Sequence, residues 1–211
     1  MVDGELNIKI QEKKVIRVEN RKLVRSIIEE SIRVKSLCAS QCLDEIAQAG
    51  GIIADSVSMG NKILCCGNGG SAADAQHFSA ELLNRFERER RALAAIALTT
   101  DSSTITSIAN DYSFDRIYEK QVRALGNKGD VLLAITTSGN SKNITNAIIA
   151  GQEKKMTIIL LSGKNGGEAA PILTKKDLEL RVPSQSTARI QESHIMMLHC
   201  ICAIVDDRIY S

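Results

Sequence analysis

The chain has 211 residues, 44% of them hydrophobic but only 3% aromatic, with no Trp. A core from this composition has to be aliphatic, which suits a sheet covered by helices. The 27 basic and 25 acidic residues leave a net charge of +2, which excludes the basic stripe of a nucleic-acid binder, and no run approaches the ~18 apolar residues of a membrane span.

Residues 1–18 read as a polar N-terminal extension without an apolar signal core, and 19–211 as a single domain. From about Asn20 to Cys38, Val24, Ile28 and Ile32 recur at i, i+4 with Leu23 and Ile27 beside them, which predicts an amphipathic helix. A second helix is expected from Gln41 to Met59. Gly50 and Gly51 fall inside it, each costing about 1 kcal/mol relative to Ala, so a bend or break is expected there. No strand precedes either helix, so the pair is expected as a helical hairpin outside the sheet, able to build a subunit interface. Beyond Asn61 the pattern becomes strand then helix. Strands are predicted at 62–66, 93–98, 130–135, 156–161 and 177–182, and helices at 72–86, 102–109, 114–126, 141–154 and 187–209. This alternation predicts an α/β fold with a doubly wound, mostly parallel five-stranded sheet, which binds ligands at the carboxyl ends of its strands. The six cysteines include no C-x-x-C pair and are expected as reduced, mostly buried thiols of a cytoplasmic protein.

Two of the strand ends carry anion-ready turns. Cys66-Gly67-Asn68-Gly69-Gly70-Ser71 follows the first strand and opens a helix, an arrangement that presents free backbone N–H groups to an anion. It only partly matches the dinucleotide fingerprint, whose acidic residue is wanted about 20 residues on, whereas the next strand leads to Asp101 some 30 residues on; no nucleotide cofactor is expected. Thr136-Thr137-Ser138-Gly139-Asn140-Ser141 packs four hydroxyls and a Gly before another helix. Ser141 has the type of a plain helix cap, but four hydroxyls are more than a cap needs and suit a phosphate monoester. His77 and Glu81 stand at i, i+4, about 40° apart on one helix face. Alone, such a pair is commonly a solvent-exposed hydrogen bond. Gln191 and His199 lie on the last helix, about 80° apart in projection. His199 sits among Met196, Met197, Leu198 and Ile201 and is expected to be buried. His194 reads as structural or as support for the site.

Together these residues resemble the sugar isomerase (SIS) fold, a flavodoxin-like architecture, and within it the bacterial phosphoheptose isomerases. The resemblance covers about residues 20–210. It rests on Cys66–Ser71, Asp74–Leu82 with its Gln76-His77-Phe78, Ala109-Asn110-Asp111, Gly129–Leu133, Ser138–Ser141 and Arg189-Ile190-Gln191-Glu192. It implies an aldose–ketose isomerase interconverting sedoheptulose 7-phosphate and D-glycero-D-manno-heptose 7-phosphate, the step that opens the route to lipopolysaccharide core heptose. It implies a cytoplasmic homotetramer with sites between subunits and, in several members, zinc. By position, Asn68, Gly69, Gly70 and Ser71 would line the substrate, with Gln191. Thr136, Thr137, Ser138 and Ser141 would hold the phosphate. Asn110 and Asp111 would meet sugar hydroxyls. Glu81 and His199 would form the acid–base pair, and His77, Glu81, Gln191 and His199 the metal set. Two positions depart from the family: Thr136 where Ser is common, and Ala188 where some members carry Asp. A related replication regulator that binds the bacterial initiator protein shares the fold and stretches such as Lys62–Cys66. It lacks the carboxylate and the second histidine, both present here, so the non-catalytic regulator is the alternative reading.

Overall fold

The expected strands form because their apolar runs are continuous, the pattern of strands covered on both sides. In the computed structural model, which describes residues 2–210 and side chains from Arg17 to Ile209, they are β1 (Ile63–Gly67), β2 (Ala95–Ala97), β3 (Val131–Ile135), β4 (Thr157–Gly163) and β5 (Leu178–Val182). Their order is β2-β1-β3-β4-β5 and every neighbouring pair is parallel. Side chains alternate between two cores. Ile63, Cys65, Leu133, Ile135, Ile159 and Leu161 face one; Leu64, Cys66, Leu132, Ala134, Ile158 and Leu160 face the other.

The first core is closed by α2 (Leu43–Ser58), α3 (Gly70–Leu83) and α7 (Thr187–Tyr210), with Val34 and Cys38 of α1 (Val2–Gln41) at its edge. The second is closed by α4 (Ser102–Asp111), α5 (Ile117–Leu125) and α6 (Lys142–Glu153). A 3₁₀ turn, Phe114–Arg116, takes the first residues of the helix expected from 114. All six cysteines are unpaired, and five are buried. No helix among the described residues is long and apolar enough to cross a membrane.

The N-terminal region differs from expectation in three ways. The backbone of the expected extension belongs to α1, while the side chains before Arg17 fall outside the described residues. The two N-terminal helices are present, but they meet through Cys42 alone, with helical hydrogen bonds from Cys42 N to Cys38 O at 2.9 Å and Ile46 N to Cys42 O at 3.0 Å. The joint is thus a bend rather than a closed hairpin, and α2 lies on the sheet-covering layer through Ile46, Ala49, Ile53 and Val57. The bend is not at the glycines, which lie inside an unbroken α2. A Cβ on Gly50 would stand 2.7 Å from Ile204 Cβ, so this glycine lets α2 and α7 approach closely.

Candidate active site

The strand order reverses between β1 and β3, and a doubly wound sheet opens a crevice at the carboxyl ends of the strands on either side of such a point. Asn68, Ser71, Ile135, Thr136, Thr137, Ser138, Ser141 and Gln191 line a cleft of about 90 Å³ there. Both anion-ready turns therefore meet in one place. Two helix N-termini converge on it, those of α3 and α6, and each carries partial positive charge from unpaired N–H groups. Neither has an acidic residue in its first turn. Ser141 precedes α6 but its side chain makes no capping hydrogen bond, so the plain-cap reading does not account for it. The neighbouring hydroxyls shape the loop: Thr136 Oγ1 accepts from Gly139 N at 3.2 Å and Ser138 Oγ from Asn140 N at 3.2 Å. As acceptors, both keep an O–H to donate.

Glycine is required at two points of this frame. Gly139 has φ of 72°, and a Cβ there would strike the Gly166 carbonyl, where the 163–170 loop closes over it with Ala169 N donating to Gly139 O at 2.9 Å. A Cβ on Gly70 would strike Gln191 Nε2, so Gln191 lies directly over the first turn of α3. Asn68 is held by reciprocal amide hydrogen bonds with Asn143, at 2.9 and 2.8 Å.

From Gly70 one stripe of α3 runs through Asp74 and His77 to Glu81, all within about 60° of each other in projection. His77 Nε2 is 2.9 Å from His199 Nε2 and 3.3 Å from Glu81 Oε1. The α7 imidazole thus meets the α3 imidazole, which in turn faces the Glu81 carboxylate. Phe86 packs beside His199, with ring centroids 5.5 Å apart. His199 is half-buried, against the expectation of a buried ring. The buried histidine is His194, whose ring faces Ser162 O at 2.9 Å while Nδ1 has no partner. Burial lowers its pKa to about 4, the Ser162 carbonyl opposing this, so it stays neutral at pH 7. Asp74 is half-buried, with Oδ2 unpartnered; burial raises its pKa to about 6, with His77 pulling the other way.

The chemistry of His77, Glu81, Gln191 and His199 suits zinc, which takes imidazole nitrogen and carboxylate oxygen. Their arrangement here is a set of pairwise contacts, and no group of three or more His, Cys, Asp or Glu among the described residues is spaced to hold a metal ion. Two ligands on one tetrahedral zinc stand roughly 3.4 Å apart, so the imidazoles, at 2.9 Å, need a small outward rotation to accept one. Asn110 and Asp111 are exposed at the end of α4, bonded to each other at 2.9 Å, and do not line the cleft. Sequence reasoning did not single out Asn143 or Tyr118, whose hydroxyl donates to Gly67 O. Asp74 carried a signal in its spacing of three from His77 on the same face.

The chain matches the SIS domain family over residues 28–163. Phosphoheptose isomerase from Alkalilimnicola ehrlichii is 55% identical over 181 residues, spanning 86% of this chain and 92% of that protein. The Alteromonas mediterranea phosphoheptose isomerase is 54% identical over 188 residues, 89% of this chain and 94% of its own. The solved phosphoheptose isomerase GmhA of Neisseria gonorrhoeae superposes with a TM-score of 0.85 at 46% identity, over 89% of this chain and 98% of that one. Shared fold and identity over nearly the whole of each relative lead to one conclusion: this chain belongs to the SIS domain family and, within it, to the phosphoheptose isomerases, which are phosphosugar isomerases.

Proposed function

We propose that the chain interconverts sedoheptulose 7-phosphate and D-glycero-D-manno-heptose 7-phosphate in the cytoplasm, at the head of the route to lipopolysaccharide core heptose, as a homotetramer. The observation that carries this is the separation of two subsites along α3. The cleft at the N-termini of α3 and α6 suits a phosphate. His77 lies seven residues beyond Gly70, about 10 Å along the helix. An extended heptose 7-phosphate has six carbon–carbon bonds between its reacting end and the phosphate carbon, and so has the length to bridge that gap.

In this reading the Thr136–Ser141 hydroxyls and the α6 N-terminus hold the phosphate, and Asn68, Ser71 and Gln191 flank the chain of the sugar. The Glu81 carboxylate takes the proton from C1 of the ketose. The C1–H electron pair becomes the C1=C2 bond of an enediolate, and the former carbonyl oxygen at C2 takes a proton from His199. Glu81 then returns its proton to C2, while the O1 proton leaves to His199 as the C1 aldehyde forms. The four residues His77, Glu81, Gln191 and His199 would hold a zinc ion, which when bound would polarise the sugar oxygens. The direct test is an isomerase assay of the purified protein on sedoheptulose 7-phosphate, with and without chelator. Conversion to the aldose is expected. No conversion with either metal-loaded or untreated protein would overturn the assignment and favour the initiator-binding regulator.

A further inference from the structure

Beyond the cleft, the most fully buried ion pair among the described residues lies at the far end of α3. Arg90 Nε meets Asp206 Oδ1 at 2.7 Å, and both side chains are only 3% exposed. We propose that Arg90 and Asp206 are positioning residues for the isomerase reaction, their ion pair fixing the last turn of α3, and so the Glu81 carboxylate, against His199 on α7.

The hydrogen bonds show how. The last carbonyls of a helix have no partner within it. Arg90 supplies them from outside, donating through Nη2 to Glu81 O at 2.7 Å and through Nη1 to Leu82 O at 2.9 Å. The same Nη1 reaches Arg91 O at 3.1 Å. The guanidinium thus holds the backbone of Glu81 itself. Asp206 closes the knot from α7: its Oδ2 accepts from Glu87 N at 3.3 Å and Arg88 N at 3.2 Å, which fixes the loop that leaves α3. Asp206 stands seven residues after His199, so the two share one face of α7 within about 20°. One buried pair therefore ties the carboxylate-bearing turn of α3 to the imidazole-bearing face of α7. A buried ion pair is weak evidence for stability by itself; here its donors and acceptors define a distance between two reacting groups. A lysine at 90 could answer Asp206 but, lacking the planar fork, could not hold the adjacent carbonyls together.

The inference rests on Glu81 being the carbon-proton base, so Glu81→Gln accompanies the test. Arg90→Met, Arg90→Lys and Asp206→Asn would be compared with the intact protein for kcat, KM, substrate affinity by calorimetry, and the imidazole proton resonances of His77 and His199 without substrate. A displaced base lowers kcat by roughly 10–100-fold, while KM and affinity should stay within about threefold because the phosphate subsite is untouched. Arg90→Lys should fall between Arg90→Met and the intact protein, and the His199 resonances should move in Asp206→Asn. Wild-type kcat in folded Arg90→Lys and Asp206→Asn, or a loss confined to KM, would overturn the proposal. So would failure of all three variants to fold, which would make the pair purely structural. If Glu81→Gln itself turns over normally, the base assignment fails; if it is inactive while Asp206→Asn is normal, only the positioning role fails.

Discussion

Glu81 offers an oxygen 3.3 Å from His77 Nε2 and shares that imidazole with His199. Replacing it by Gln keeps shape and removes the basic oxygen. Turnover should drop by about 10²–10⁴-fold, with substrate still bound in a calorimeter; activity within a few-fold of wild type would remove Glu81 from the chemistry. At the other end of the substrate, Ser138→Ala with Ser141→Ala removes two donors to a dianion. A hydrogen bond to a charged group contributes about 1.5–3 kcal/mol, so KM should rise at least tenfold with the pH profile of kcat unchanged. An unchanged KM would place the phosphate elsewhere. These residues were legible in sequence because their motifs are local: each turn, or each i, i+4 pair, lies within one short segment. Asn143 was not, since its role is the reciprocal amide pair with Asn68, 75 residues away. The fit of Gln191 over Gly70 was hidden for the same reason.

The strands and the parallel, doubly wound character of their sheet were legible at the level of elements, because apolar runs alternate with amphipathic segments; the order of the strands was not. The packing of α2 was not. Gly50-Gly51 looks like a helix breaker when propensity is considered alone, and only the α7 surface shows why the pair sits in an unbroken helix. The two glycines should therefore respond oppositely to Ala. At Gly50 the new Cβ meets the branched Ile204 at 2.7 Å, and overpacking costs about 1–3 kcal/mol, outweighing the gain of up to about 1 kcal/mol in helix propensity. At Gly51 the nearest atoms, at 3.3 Å, are the end of the half-exposed Arg208 side chain, so Gly51→Ala should be neutral or stabilising. Thermal melts that rank Gly50→Ala above Gly51→Ala would refute the close α2–α7 contact. His194 joins α7 to β4 and carries the acid sensitivity of that layer. Its pKa in the folded state, about 4 against an ordinary 6.5, means that the unfolded chain binds the proton more tightly. Stability from this residue is complete above pH 6.5 and is lost as pH falls towards 4, by about 3 kcal/mol at most. His194→Gln, whose amide can still donate to Ser162 O, should flatten the decline of denaturation midpoint between pH 6.5 and 4. An unaltered slope would show that His194 is not its source.

At the scale of the whole molecule, α1 carries an apolar outer stripe that the proposed homotetramer would cover. Leu23, Val24, Ile27, Ile28 and Ile32 are each more than two-fifths exposed, and they form the i, i+4 stripe that predicted the helix. Among the described residues, the helix is fastened to its own domain from its middle onward, by Arg189 Nη1 donating to Ile27 O at 2.8 Å, Ser31 Oγ to Glu192 at 2.7 Å, and the buried Val34 and Cys38. Isolated helices are marginal in water, and contiguous apolar patches of this kind mark interaction surfaces. A second copy of the same stripe is the occupant that a homotetramer supplies, and burying one such aliphatic side chain contributes roughly 1.5–3 kcal/mol. The fastening points adjoin Gln191, so the homotetramer proposed above would, by holding α1, also steady one wall of the cleft. Val24→Glu with Ile28→Glu places two charges in the middle of the stripe without touching either core. The variant should keep its circular dichroism, fall to a smaller species by light scattering, and lose at least tenfold in kcat/KM, a loss of about 1.4 kcal/mol in transition-state stabilisation. A tetramer of unchanged mass would show that the stripe lies outside the interface, and a fully active monomer would show that each cleft is complete within one chain.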